Sequence, residues 1–107
     1  MNDLEKGFVA GLLEGEGTIY RPRSPQLIIY NSNRELLEFV QKLIGGKVHC
    51  RGTSELIGSF SSKNGRLRYR LILCGKPVRS ILKDILPVLV IKKQRALEIL
   101  NYQPKTR

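Results

Sequence analysis

Two carboxylates, Glu14 and Glu16, lie two residues apart between glycines in the segment FVAGLLEGEG, residues 8–17. A carboxylate is a hard oxygen ligand and can bind a cation such as Mg²⁺. The segment ends a predicted helix, and the partial negative charge at a helix C-terminus favours a bound cation. Glu16 is therefore a candidate metal ligand, whereas Glu14 is interpreted as a structural residue. From spacing alone, Glu16 is also compatible with an ordinary polar residue in the turn after a helix.

The helix that carries these carboxylates is predicted over residues 4–14, and Asn2 and Glu5 form a capping box at its start. Three glycines spaced by four residues share one face of this helix: Gly7, Gly11 and Gly15. Each glycine weakens a helix by about 1 kcal/mol relative to alanine, so this face is expected to lie close to another backbone. That backbone belongs either to the same domain or to a second subunit. The segment is too short and too polar to span a membrane.

The chain is strongly basic, with 19 Lys and Arg against 9 Asp and Glu, a net charge of +10 and a pI near 10.1. This balance favours a polyanionic partner. Arg66, Arg68 and Arg70 alternate along a predicted strand, residues 66–73, and so share one face of it. A basic run is often only a solvated face, but adjacent like charges repel unless an anion covers them. An arginine-rich sheet face fits DNA, where Arg pairs with guanine and neutralises phosphates. A membrane surface is less favoured, because no amphipathic helix carries exposed aromatic side chains.

The length of 107 residues fits one domain over residues 1–107. Cys50 and Cys74 lack the spacing of metal ligands and are expected to be reduced thiols in the core. No secretion signal is recognised, which predicts an intracellular protein, either cytoplasmic or organellar. The single histidine, His49, is expected on the sheet rather than in the role of a general base.

Apolar periodicity and turn residues predict the element order αββαββαα, and hence an α+β fold. After the first helix, two short strands fall within residues 18–30 on either side of a proline-marked turn. A capping box of Ser32 and Glu35 is expected to begin the second helix, and Gly45 and Gly46 to end it. The remaining predicted elements are strand 47–51, strand 66–73, a helix between Pro77 and Pro87, and a final helix over residues 92–102.

The segment Val9–Gly17, VAGLLEGEG, resembles the signature of the LAGLIDADG homing endonucleases. Both acidic positions hold Glu where the signature has Asp, and Gly15 replaces an Ala. The order αββαββα is that of the family's half-domain, which has a saddle-shaped antiparallel sheet, so the similarity covers nearly the whole chain. The resemblance implies that Glu16 and the Gly15 carbonyl hold Mg²⁺, for which Mn²⁺ can substitute. It also implies that Lys92, in PVLVIKKQRA, and Asn31 belong with Glu16 to the catalytic site.

The signature occurs once, and in the resembled family single-motif chains form homodimers through the signature helix. Such dimers cut both strands of double-stranded DNA at long, roughly palindromic sites, because a two-fold dimer presents the same surface twice. A metal-bound water supplies the nucleophile in that family, so no histidine is required. The residues expected at the dimer interface are Gly7, Phe8, Ala10, Gly11, Leu12 and Glu14. The residues expected to contact DNA are Thr18, Tyr20, His49, Arg51, Arg66, Arg68 and Arg70.

Two other functions are compatible with the same fold: a DNA-binding regulator that does not cut, and a maturase that helps an intron RNA to fold. A regulator would keep the basic sheet and lose the metal site, so the presence of both Glu16 and Lys92 argues against it. RNA-binding proteins often stack bases on exposed aromatic side chains. The chain has only three Phe and four Tyr, which favours DNA. A metal-dependent, site-specific DNA endonuclease is therefore the leading hypothesis.

Overall fold

The computed structural model describes residues 1–20, 24–51 and 68–102. Within these residues, four helices and four strands follow one another in the order αββαββαα, so the predicted α+β architecture is confirmed. The elements are α1 (Asp3–Glu16), β1 (Gly17–Tyr20), β2 (Gln26–Asn31), α2 (Arg34–Ile44), β3 (Lys47–Arg51), β4 (Arg68–Cys74), α3 (Lys76–Ile85) and α4 (Lys93–Asn101), with a short 3₁₀ turn (Leu86–Val88) after α3.

The four strands form one antiparallel sheet in the order β1-β2-β4-β3. Alternate residues of an extended strand point to opposite faces, and here one set is buried and the other is largely polar. The buried set is Ile19, Leu27, Ile29, Leu71 and Leu73. We call the face that carries these residues the inner face, and the opposite one the outer face.

The inner face is covered by helices, each of which contributes apolar side chains at helical spacing. Together with the strands they form one core cluster, whose helical members are Val9, Ala10, Leu13, Leu37, Val40, Ile44, Val78, Leu82, Ile85, Ala96 and Ile99. No polar or charged side chain is buried among the described residues. The core is therefore held by apolar burial, and the polar residues remain available on the surface.

The ends of α1 explain where its carboxylates lie. The predicted capping box is confirmed: the Asn2 side chain accepts from the Glu5 N–H at 2.7 Å, and the Glu5 side chain accepts from the Asn2 N–H at 2.9 Å. The helix continues through Glu16, two residues beyond the predicted end, because its backbone becomes extended only at Gly17. A Cβ at Gly17 would lie 2.9 Å from the Leu13 carbonyl oxygen and 3.0 Å from that of Ile28. Only glycine permits this approach of helix to strand.

Several local predictions need correction. The N-cap of α2 is Asn33, whose side chain accepts from the Leu36 N–H at 3.0 Å, so the predicted capping box at Ser32 is wrong. Cys50 and Cys74 are exposed rather than buried, so their assignment to the core is also wrong. The strand over residues 47–51 and the end of α2 at Gly45 and Gly46, both with positive φ, are confirmed.

The last elements differ from the prediction only at their ends. Strand β4 begins at Arg68 and ends one residue later than expected, while residues 66 and 67 lie outside the described part of the chain. Helix α4 is one residue shorter at each end than predicted. Among the described residues, none of the helices has the length and apolar character needed to cross a membrane.

The core makes a direct prediction about stability. Leu82→Ala in α3 should lower the free energy of unfolding by about 2–5 kcal/mol, because Leu82 is fully buried and its removal leaves a cavity. The neighbouring Lys83→Ala is the matched control and should change it by less than about 0.5 kcal/mol, since Lys83 is exposed. Urea unfolding followed by circular dichroism measures both. Equal losses in the two variants would contradict the described packing of α3.

Candidate active site and nucleic-acid interface

Glu16 is the last residue of α1, and its side chain is exposed beside the end of β2. The pairing of Gly17 with Ile29 brings the end of α1 next to Asn31. There the Asn31 Nδ2 donates to Glu16 Oε1 at 3.1 Å. Within the described part of the chain the other carboxylate oxygen of Glu16 has no hydrogen bond. The carboxylate is therefore held on one side and open on the other.

The orientation of the Asn31 side-chain amide is fixed by a hydrogen bond from the Asn33 backbone, and the amide in turn orients the Glu16 carboxylate. Its Oδ1 accepts from the backbone N–H of Asn33 at 2.8 Å. A backbone N–H can only donate, so the oxygen must face Asn33 and the NH₂ group must face Glu16. Asn31 thus acts on the carboxylate as a donor and does not present its oxygen as a ligand there.

An open cavity of about 520 Å³ lies at this end of α1. It contains the two predicted metal-binding residues, Glu16 and Gly15, together with Asn31. It also contains Arg68, which the sequence grouped with the DNA-contacting residues of the sheet. The complete lining is Gly15, Glu16, Gly17, Tyr30, Asn31, Ser32 and Arg68. The structure therefore brings an acidic and a basic side chain, Glu16 and Arg68, together in one cavity that is open to solvent.

The chemistry of this site fits a hard divalent cation. Glu16 supplies a carboxylate oxygen, Gly15 supplies a carbonyl at a helix C-terminus, and both are exposed. One chain provides only part of a coordination shell, because no group of three or more His, Cys, Asp or Glu side chains with metal-binding geometry occurs in residues 1–20, 24–51 and 68–102. Further ligands would have to come from a second chain, a phosphate or water.

Lys92 and Glu14 contact each other next to this cavity. The Glu14 carboxylate accepts from three successive backbone N–H groups, those of Val90 at 2.6 Å, Ile91 at 2.9 Å and Lys92 at 3.3 Å. The Lys92 Nζ in turn donates to the Glu14 carbonyl oxygen at 2.9 Å. Burial raises the pKa of the Glu14 carboxyl, but the backbone donors and the Lys92 ammonium together lower it below its ordinary value. Lys92 is half-buried and does not line the cavity.

The outer face of the sheet carries the other predicted DNA contacts. Tyr30, Arg70 and His49 are register partners across three strands, and Thr18 and Tyr20 lie further along the same face. Within the described residues, the Arg70 Nε is a buried donor without an acceptor. Arg66 lies outside the described residues, and so does the side chain of Arg51, although its backbone ends β3.

The centre of the outer face is apolar, which the sequence analysis missed. Ile28 is only 6% exposed although it points away from the helices, and Ile72 is its register partner. The signal was available: QLIIY has a central apolar run rather than a strict alternation. Arg68, Arg70 and His49 therefore lie at the end of this face towards the cavity, while Lys47 lies at its edge beside Ile72.

The glycine-bearing face of α1 is open to solvent. A Cβ at Gly7, Gly11 or Gly15 would meet no atom within 4 Å in the described part of the chain, so packing among these residues does not explain the glycines. Exposed apolar side chains flank them, and the ring of Phe8 packs edge-on against Phe39 of α2 at 5.6 Å between centroids. We call this face the glycine stripe; its members are Leu4, Gly7, Phe8, Gly11, Leu12 and Gly15.

Two residues predicted at the interface make contacts within their own domain. Ala10 is 2% exposed and packs in the core, because its position on α1 turns it towards the sheet. The Glu14 carboxylate is bound by the backbone of its own chain, as described above. The assignment of Ala10 to the interface is corrected, because a side chain buried in its own core is not available to a partner. Glu14 is half-exposed, so its place at the interface stays a prediction. Gly7, Phe8, Gly11 and Leu12 remain on the stripe.

Comparison with known proteins decides the family. The family model described as "LAGLIDADG-like domain" matches residues 3–85. The chain belongs to the LAGLIDADG family. This match runs from α1 to the end of α3, so it includes Glu16, Asn31 and the whole sheet. No match is found among curated proteins.

Solved structures agree with the LAGLIDADG fold. The homing endonuclease I-CvuI is similar at 21% identity in two structures. Its complex with the I-CreI target in 2 mM Mg gives a TM-score of 0.69. Its complex with its own target in 2 mM Ca gives a TM-score of 0.68. The archaeal intron-encoded homing endonuclease I-Vdi141I is similar with a TM-score of 0.65 and 18% identity. Each alignment covers 91% of this chain, which spans 64% of I-CvuI and 65% of I-Vdi141I.

The two acids of this LAGLIDADG chain have different environments. Both carboxylate oxygens of Glu14 accept hydrogen bonds from the backbone of its own chain. The Glu16 carboxylate accepts one hydrogen bond, from the Asn31 amide, and lines the open cavity. The sequence analysis assigned Glu16 to the metal, which stays a prediction, and gave Glu14 a structural role. It could not identify the partners of Glu14, which lie 76 to 78 residues later in the chain.

Proposed function

We propose that two copies of this chain bind double-stranded DNA and cut both strands at a long, roughly palindromic site in a reaction that requires Mg²⁺. The observation that carries the proposal is the cavity at the end of α1. There an exposed Glu16 carboxylate, oriented by Asn31, shares one open space with Arg68 at the edge of a basic sheet face. Hydrolysis of a phosphodiester needs a carboxylate that binds a metal ion next to a cationic side chain that binds phosphate. Glu16 and Arg68 are such a pair.

The outer face supports DNA as the partner. Arg68 and Arg70 lie on it with His49, and the Arg70 Nε is a buried donor that lacks an acceptor among the described residues. Guanidinium groups pair with guanine and with phosphate oxygens, so these basic side chains suit a DNA partner. The related I-CvuI and I-Vdi141I structures are complexes with DNA, and in the I-CvuI complex with 2 mM Mg the DNA is not cleaved.

The glycine stripe supports a homodimer. Glycines let two helices approach closely, and the flanking Leu4, 84% exposed, and Phe8 offer apolar area that a free chain leaves in water. An isologous contact of two α1 helices would bring two Glu16 side chains towards one another, because each ends its own helix. Two nearby carboxylates repel unless cations neutralise them, so the dimer and the metal site support each other.

Each residue of the site then has a chemical task. Glu16 and the Gly15 carbonyl would hold Mg²⁺, or Mn²⁺ in its place, and the bound ion supplies an activated water and offsets the charge that develops on the phosphate. Asn31 keeps the Glu16 carboxylate directed into the cavity. Arg68 neutralises a DNA phosphate. Lys92 holds a positive charge at the end of α1.

The first test is a cleavage assay on a randomised duplex library with Mg²⁺, with Glu16→Gln beside the natural protein. The natural protein should enrich cuts at one roughly palindromic site. Glu16→Gln should lower the rate by at least roughly 100-fold, because losing even an outer partner of a metal ligand costs about 10–100-fold. The exposed Glu35 of α2 gives a matched control, and Glu35→Gln should cut normally.

Other outcomes of this assay identify other functions. Specific binding without cutting by either protein would replace the endonuclease with a DNA-binding regulator. Absence of any selected DNA, together with accelerated folding of an intron RNA, would identify a maturase. Equal cutting by the natural protein and Glu16→Gln would remove Glu16 from the metal site.

The two arginines of the outer face should differ in what they do. Arg68→Ala should slow the single-turnover cutting step on the order of 100-fold, because it removes a charge next to the reacting phosphate. Arg70→Ala should instead weaken binding by about 1–3 kcal/mol and relax preference at one position of each half-site. Affinities and cutting rates on all single-base variants of the site separate the two effects. The reverse pattern would exchange the two roles.

The glycine stripe makes a prediction about assembly. Gly11→Leu should weaken dimerisation by at least roughly tenfold, because overpacking a close contact costs about 1–3 kcal/mol. The chain itself should stay folded, since no atom of residues 1–20, 24–51 and 68–102 lies within 4 Å of the new Cβ and leucine favours a helix over glycine. Analytical ultracentrifugation measures the association. Ser80→Leu at an exposed position of α3 is the control. Unchanged association of Gly11→Leu would exclude this face as the interface.

A further inference from the structure

We infer that Glu14 is a positioning residue that fixes Lys92 beside the catalytic cavity by binding the turn over residues 90–92. This inference rests on the proposed function for its catalytic meaning, while its structural content is independent. The contact is reciprocal. The Glu14 side chain binds the backbone of residues 90–92, and the Lys92 side chain binds the Glu14 backbone.

The carboxylate is what secures this turn. Val90 and Ile91 are 79% and 76% exposed, so apolar burial does not hold their backbone in place. Their N–H groups and that of Lys92 all point to Glu14, whose two oxygens accept all three. The turn also begins α4, whose N-cap residue, Lys92, makes no side-chain cap. An anion at a helix N-terminus is favoured by the helix dipole, and Glu14 supplies it from α1.

The Lys92 side chain completes the contact in the other direction. The carbonyls in the last turn of a helix have no partner within the helix, and Glu14 belongs to that turn of α1. The Lys92 Nζ satisfies the Glu14 carbonyl at 2.9 Å. A positive charge is thereby fixed two residues from Glu16, at a helix end whose partial charge is negative. Loss of the Glu14 carboxylate would release the backbone of Lys92 and, with it, the position of this charge.

The first experiment measures the positioning without using cleavage. Amide hydrogen exchange at residues 90–92 is compared in the natural protein, Glu14→Gln and Glu14→Asp. A glutamine keeps one acceptor oxygen and turns an NH₂ group towards the backbone donors. Protection at these amides should therefore fall by roughly tenfold or more in Glu14→Gln, in line with loss of hydrogen bonds to a charged group. Amides of β2 and β4 should keep theirs. Unchanged protection at residues 90–92 would overturn the inference.

Glu14→Asp keeps the inference testable if Glu14→Gln does not fold. Aspartate retains the charge and both oxygens on a side chain that is shorter by one methylene, so it should lose less protection than glutamine. Lys92→Met removes only the return contact and should leave the amides of residues 90–92 protected. Loss of protection in Lys92→Met equal to that in Glu14→Gln would contradict the role of the carboxylate.

The second experiment tests whether Glu14 acts through Lys92. Single-turnover cutting rates are measured for Glu14→Gln, Lys92→Met and the double variant, with DNA affinity measured separately in Ca²⁺. Glu14→Gln should slow cutting about 10–100-fold, as expected for an outer partner of an active-site group, without a matching loss of affinity. The double variant should be no slower than Lys92→Met alone. A double variant whose loss is the product of the two single losses would indicate general destabilisation instead.

The two proposals fail in different ways. If the amides of residues 90–92 lose protection in Glu14→Gln but the natural protein cuts no DNA, the positioning of Lys92 stands and the endonuclease function falls. If the natural protein cuts and Glu14→Gln loses protection but cuts at the same rate, the endonuclease stands and the positioning role falls.

Discussion

The direct junction of α1 with β1 at Gly17 determines where the rest of the site can lie. No loop separates the two elements, so the last residue of the helix, Glu16, is held against the sheet by the pairing of β1 with β2. The approach is close enough that a Cβ at Gly17 would press on the backbone of α1 at Leu13 and of β2 at Ile28. A side chain there would separate helix from sheet and move Glu16 away from Asn31. The absence of a Cβ at Gly17 therefore allows α1 to pack against the sheet and Glu16 to reach the cavity at the same time.

From this junction, the two sides of α1 serve different purposes. Val9 and Leu13 pack into the core, while Gly7 and Gly11 face solvent with nothing against them. The two acids also differ, since the Glu14 carboxylate binds the backbone of its own chain and the Glu16 side chain lines the open cavity. The LAGLIDADG motif thus presents residues in three directions: towards the core, towards the open glycine stripe and towards the cavity that we propose binds phosphate and metal. This explains why its glycines and acids alternate within so few residues.

Local rules predicted the parts of this structure that are set by neighbours in sequence. The capping box at Asn2, the strand over residues 47–51 and the glycine end of α2 depend on backbone geometry within a few residues, and all were correct. The partners of Glu14 could not be found this way, because the turn that binds it is distant in sequence and carries no motif of its own. The burial of Ala10 depends on the rotation of α1 over the sheet, which periodicity defines only to within a residue. Membership of the family supplied Glu16 and Asn31, which spacing alone left open.

The open space around the glycine stripe has an evolutionary consequence. Because a Cβ at Gly7 or Gly11 would meet no atom within 4 Å among the described residues, a side chain there adds no clash to the folded monomer, and a helix-favouring residue would strengthen α1. The core is constrained in every molecule that folds, whereas the stripe is constrained only through the dimer that we propose. A chain that no longer needed such a dimer could fill Gly7 and Gly11 with side chains and still fold as a monomer.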